Sequence, residues 1–193
     1  IARRQRQMCI RDRDETIKAA YTSALAFFRH STAEKSKVTI STKHRGWLRQ
    51  GGAVMATGVK ADLKESFIWG AEDADGNTAE DHPLRGTNRW PAFVPRLQSH
   101  AMDYFRQTQE VALHLMRGFA LGLNLEEGYF LRSNSAPLSR ASFVYYPNQS
   151  ENVSTQQFGA GPHTDFGVLT VLCQDAVGGL QIEDIDGKWI AAP

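Results

Sequence analysis

The feature that most constrains this chain is a change of hydrophobic rhythm near Arg140. Before it, apolar residues recur at helical spacing. Ile17, Ala20, Tyr21, Ala24, Phe27 and Phe28 do so between Asp14 and about His30. Met102, Phe105, Ala112, Met116, Phe119 and Leu123 do so between about Leu97 and Leu123, with Gln109 the one polar interruption. Such stripes predict amphipathic helices. After Arg140 come short β-rich runs: Ala141 to Tyr146, closed by Pro147, then the near-continuously apolar Val168 to Gln174, then Leu180 to Ile185. Asp186-Gly187 is a strong hairpin signal, and Lys188 to Ile190 begins the return strand. Helices first and strands after predict an α+β chain with a β-sandwich core.

The segments between are punctuated by turn chemistry. Ser31-Thr32 offers a cap for a short helical turn through Glu34-Lys35. Gly46 to Gly58 is Gly-rich and reads as irregular. Ala71 to Gly86 is polar, carries Asp75-Gly76-Asn77 and reads as a loop, as do residues 147–157. Pro91 and Pro95 keep their region out of a helix. No internal repeat or low-complexity segment is present.

Composition excludes several classes. With 41% hydrophobic and 22% charged residues, the chain is an ordinary globular one. No apolar run approaches the roughly 20 residues needed to span a bilayer, and the N-terminus has no apolar signal core, so no membrane partner is expected. Cys9 and Cys173 are too few for a disulfide framework, which makes a reducing, cytoplasmic setting the default. Asn148-Gln149-Ser150 and Asn152-Val153-Ser154 match the glycosylation acceptor pattern, which is short and carries little weight without a secretory signal.

Residues 1–13 hold five arginines against one aspartate, a local charge of +4 in a chain of net +1, which leaves −3 for the remainder. A nucleic-acid-binding arm or an Arg-rich transit peptide would look like this. Arg3 to Asp12, however, resembles residue for residue the translation of a transposon adapter used in sequencing libraries. On that reading the segment is not native, Met8 is not an initiator, and Cys173 is the one native cysteine. A nucleic-acid partner then has no support, because the remainder is mildly acidic.

The chemistry lies in Gly159-Ala160-Gly161-Pro162-His163-Thr164-Asp165-Phe166-Gly167. In an extended strand His163 and Asp165 would project from one face, with Thr164 opposite. An imidazole nitrogen and a carboxylate oxygen side by side suit two corners of an octahedral metal site, and a second His would make a facial triad with three open positions. The preceding glycines permit unusual backbone angles and close approach. A bare His-x-Asp is weak on its own, since a surface His beside a turn Asp has the same pattern. His114, alone on its helix, reads as a surface or core residue.

The context is more specific. His163 to Glu183, reading HTDFGVLTVLCQDAVGGLQIE, resembles the core signature of the isopenicillin N synthase-like Fe(II)/2-oxoglutarate-dependent dioxygenases. Phe27-Phe28 before Lys35, Arg45-Gly46-Trp47, Asp62 to Phe67, Asn88-Arg89-Trp90-Pro91 and Tyr145-Tyr146-Pro147 agree with it in order. The resemblance implies a double-stranded β-helix (jelly roll) with an N-terminal helical layer. It also implies Fe(II), 2-oxoglutarate as cosubstrate, O2, a small-molecule substrate, and release of succinate and CO2.

Residue by residue, the resemblance makes His163 and Asp165 iron ligands and places Tyr146 at the cosubstrate or substrate carboxylate; a packed strand aromatic is the plain alternative for Tyr146. Thr170, Leu172 and Leu180 match pocket-lining positions, although any buried strand would show such residues. Val144 stands where many plant members carry Asn, so that cosubstrate contact is expected to be absent or replaced. The family's distal His and its carboxylate-binding Arg-x-Ser lie beyond Pro193, and its opening strand precedes Asp14. His30, His44, His82, His100 and His114 have no matching context. The division expected is 1–13 adapter-derived, 14–139 the N-terminal helical region and 140–193 the first jelly-roll strands, incomplete at both ends and poorly stable alone. Two rivals remain: a 2-oxoglutarate-independent iron oxidase of the isopenicillin N synthase type, and a non-catalytic jelly-roll binding module.

Overall fold

The computed structural model describes residues 2–52, 61–72, 82–132, 137–148, 158–165 and 167–192, with residues 2–13 described by their backbone alone. The chain forms two units, Ile1–His163 and Thr164–Pro193. The first holds helices α1 (Ala2–Phe28), α2 (Thr32–Ser36) and α3 (Leu97–Gly122), strands β1 (Gly46–Leu48), β2 (Glu65–Gly70) and β3 (Arg140–Tyr145), and a 3₁₀ turn at Tyr129–Leu131. The second holds one antiparallel pair, β4 (Gln181–Glu183) and β5 (Trp189–Ala191). Asp75-Gly76-Asn77, Phe166 and the acceptor patterns from Gln149 onward lie outside the described residues.

In the first unit the strands form an antiparallel sheet in the order β1-β2-β3. Strand period 2 puts Glu65, Phe67 and Trp69 on one face of β2, and the register sets Phe67 beside Trp47 and Phe143. Helices cover that face. Phe27 of α1 meets Phe67 at 4.9 Å between ring centroids, and Phe28 stacks on Tyr145 at 5.1 Å. Leu97, Ala101, Met102 and Phe105 of α3 join the same core. Polar contacts align the two long helices: Ser23 Oγ lies 2.7 Å from His100 Nδ1, and Gln107 donates to Thr16 Oγ1 at 2.9 Å.

Three buried polar joints tie the layers. The Lys35 ammonium donates to both Glu65 oxygens, at 2.9 and 2.7 Å, and to the Phe28 carbonyl at 3.1 Å. Trp47 Nε1 donates to the same carboxylate at 2.6 Å. Buried charges persist only when paired and hydrogen-bonded in this way. The Asn88 amide exchanges two bonds with Gly70, each 2.9 Å, standing in for a neighbouring strand at the end of β2. The Arg45 guanidinium donates to the carbonyls of Leu84, His44 and Lys43. Burial, and secondarily the charge of Arg140, pulls its pKa below the ordinary value.

Several elements match the sequence expectations. Ser31 caps α2 by accepting from the Glu34 N–H at 3.3 Å. α3 begins at Leu97 as expected, and β4 and β5 flank a turn in which Gly187 has φ +77°. Others differ. α1 starts at Ala2 rather than Asp14, because residues 2–13 contain no Gly or Pro and are rich in Arg and Gln, which favour helix. The expected irregular stretch at Gly46 opens as strand β1. There Gly46, at φ +114°, serves close approach: a Cβ would lie 2.4 Å from the Val38 carbonyl oxygen.

Val168 to Gln174 forms no strand, since β4-β5 is the one ladder among the described residues of the second unit and an apolar run needs a partner to become a strand. The α3 stripe is buried at Met102 and Phe105, whereas Phe119 and Leu123 are exposed. β3 pairs with β2 along its whole length and lies with it in the first compact unit, which ends at His163. No helix among the described residues is long and apolar enough to cross a membrane.

Candidate metal centre

The loop that carries His163 is fixed from the start of the sheet. Just before β2, Asp62 is buried, and its Oδ1 accepts from the Gly161 N–H at 3.0 Å. Its Oδ2 pairs with the Lys64 ammonium at 2.9 Å. The neighbouring Leu63 N–H donates to the Phe158 carbonyl at 3.1 Å. Loop residues 158 and 161 are thus each hydrogen-bonded to the segment leading into β2.

His163 is exposed, with Nδ1 2.7 Å from the Gly161 carbonyl oxygen. A carbonyl only accepts, so Nδ1 carries the proton. With the proton there, the ring's lone pair is on Nε2, the arrangement that suits ligation through Nε2. This observation makes His163 fit a divalent metal, and the imidazole and carboxylate donors of His163 and Asp165 suit Fe(II).

Tyr146, just past β3, lies against the same loop: a Cβ on Gly159 would come within 2.8 Å of its ring. The glycine serves close approach, as expected; neither Gly159 nor Gly161 has the positive φ the sequence allowed for. Val144 is on the exposed face of β3.

Asp165 belongs to the second unit and is exposed, as are Thr170, Leu172 and Leu180 of the expected pocket. Residues 163–165 are in no strand, so the same-face argument for His163 and Asp165 lacks the ladder it assumed. Among the described residues no three His, Cys, Asp or Glu side chains gather as a metal-holding group. Three of the other histidines have structural surroundings: His100 meets Ser23, His30 sits edge-on to Phe93 at 4.7 Å, and His82 Nδ1 accepts from the Leu84 N–H. The residue that sequence reasoning passed over is Asp62. Its signal was a carboxylate set just ahead of an apolar β run that later proved buried.

Two family models match the chain. Residues 12–93 match the non-haem dioxygenase in morphine synthesis N-terminal family, and residues 137–193 match the 2OG-Fe(II) oxygenase superfamily. The 2-oxoglutarate-Fe(II) type oxidoreductase hxnY of Emericella nidulans is 30% identical over 182 residues, covering 87% of this chain and 51% of the relative. A full-length Neurospora crassa protein in complex with alpha-KG superposes with a TM-score of 0.77 at 26% identity, over 92% of this chain and 56% of that one. JOX2 in complex with 2OG, Fe and JA gives a TM-score of 0.69 at 25% identity, over 91% and 49%. Matched in order by these two family models, the chain is similar to the 2-oxoglutarate/Fe(II) oxygenases. It spans about half the length of the curated relatives it matches.

Proposed function

We propose that the whole protein is an Fe(II)- and 2-oxoglutarate-dependent dioxygenase that oxidises a small organic substrate, with His163 and Asp165 as two of its metal ligands. The observation that carries this reading is the Gly161 carbonyl oxygen 2.7 Å from His163 Nδ1, inside a segment matching the superfamily. When bound, iron and 2-oxoglutarate supply an oxidant from O2, leaving succinate and CO2. The chain's own part is to hold the metal through His163 Nε2 and the Asp165 carboxylate and to offer the Tyr146 hydroxyl to a carboxylate. Thr170, Leu172 and Leu180 line the substrate side. The fold of the whole protein is a double-stranded β-helix with α1 and α3 outside it, acting in the cytoplasm. Residues 1–13 are adapter-derived, which the start of the family match at residue 12 supports.

The test is to supply the full protein with Fe(II), 2-oxoglutarate and O2 and to measure oxygen uptake and succinate together. We expect matched consumption and release, lost in both His163→Ala and Asp165→Ala. Oxygen uptake on a substrate without succinate would make the protein an oxidase instead. Metal binding unchanged by both substitutions would leave a jelly-roll binding module.

A further inference from the structure

We propose that Asp62 is a positioning residue for the metal centre, setting His163 through the backbone of Gly161. This rests on the reading of His163 as a ligand. A carboxylate that is 4% exposed spends one oxygen on a backbone N–H of a half-buried loop, 99 residues further along the chain. Burying that charge is unfavourable unless its partners are held in place, so the contact is a demanding way to pin a loop. It pins the loop two residues before His163. Only Pro162 lies between, and its ring locks φ. The same Gly161 peptide then presents its carbonyl to His163 Nδ1 at 2.7 Å. A continuous path therefore runs from the Asp62 carboxylate through Gly161 to the imidazole, fixing loop position at one end and ring orientation at the other. The Leu63 to Phe158 bond stops the loop from pivoting about Gly161. Groups that orient a ligating His in this manner change metal affinity by about 10–100-fold when removed.

The experiment is a Co(II) titration of the full protein, followed by the visible d–d spectrum, for wild type, His163→Ala, Asp62→Ala and Asp62→Asn. We expect Asp62→Ala to weaken Co(II) by about tenfold or more and to alter the spectrum. Asp62→Asn keeps an oxygen for the Gly161 N–H and should restore most of the affinity. Asn88→Ala, which loosens the far end of β2, should lower stability and leave Co(II) affinity alone. If Asp62→Ala binds Co(II) like wild type while His163→Ala does not, the positioning role is wrong and the ligand reading stands. If His163→Ala also binds normally, the ligand reading itself falls. Should Asp62→Ala fail to fold, amide exchange in the wild type decides: a protected Gly161 N–H supports the tether, and a rapidly exchanging one overturns it.

Discussion

Glu65 is where single residues matter most to this fold. One carboxylate receives the Lys35 ammonium and the Trp47 indole, so it joins α2, β1 and β2 at a point closed to water. Removing it leaves Lys35 charged and buried without a counter-ion. Glu65→Ala should therefore cost about 3–5 kcal/mol, read by urea unfolding of the full protein. The double variant Lys35→Met with Glu65→Leu should regain part of that, because an apolar pair avoids desolvating charge while Trp47 Nε1 still loses its acceptor. A single variant as stable as wild type would mean the pair is open to solvent. His163 shows the complementary case, in which the identity of a side chain was plain and its tautomer was not. The resemblance nominates the residue, and the structure adds the 2.7 Å contact of its Nδ1 to the Gly161 carbonyl, which favours a proton on that nitrogen.

At the scale of elements, the β4-β5 hairpin is set by its turn. Asp184 Oδ1 accepts from the N–H groups of Asp186 and Lys188, at 2.9 and 2.8 Å, and Gly187 takes a left-handed φ of +77°. Asp184→Ala should destabilise the hairpin by about 1 kcal/mol, and Gly187→Ala by about 1–2 kcal/mol. Amide chemical shifts of Ile182 and Ile190 should move toward coil values in both, and unmoved shifts would mean that strand pairing alone carries the hairpin.

This turn was legible from Asp186-Gly187, as the cap on α2 was from Ser31, because both depend on residues adjacent in sequence. β1 was not legible. What makes Gly46 a strand residue is the Val38 backbone pressed against it, a contact that local composition does not encode. The Lys35-Glu65 joint was hidden for the same reason, its partners lying 30 residues apart. Val168 to Gln174 shows the opposite failure, with strand composition present and no ladder to join.

For the molecule as a whole, apolar surface is the dominant fact. In the second unit Val168, Val177 and Ile185 are almost wholly exposed, Ile185 at 101%. In the first, Leu115, Phe119, Leu121 and Leu123 lie bare along the end of α3. Exposed apolar area on this scale drives association. Residues 1–193 expressed alone should bind a hydrophobic fluorescent dye strongly and sediment as oligomers. Val177→Lys with Ile185→Lys should reduce both signals. A monodisperse, dye-silent monomer would show that this surface is covered from within the chain.

The link between Asp62 and Gly161 also bears on the order of events during synthesis. Asp62 leaves the ribosome long before Gly161 does, and N-terminal parts of a chain generally fold first. The start of β2, which receives the loop, can already be in place when Pro162 and His163 appear. Closing so long a stretch of chain is slow compared with local helix formation. On the proposed reading of His163 as a ligand, metal uptake should accordingly be among the last steps of maturation, with the N-terminal sheet serving as the mould on which the loop sets.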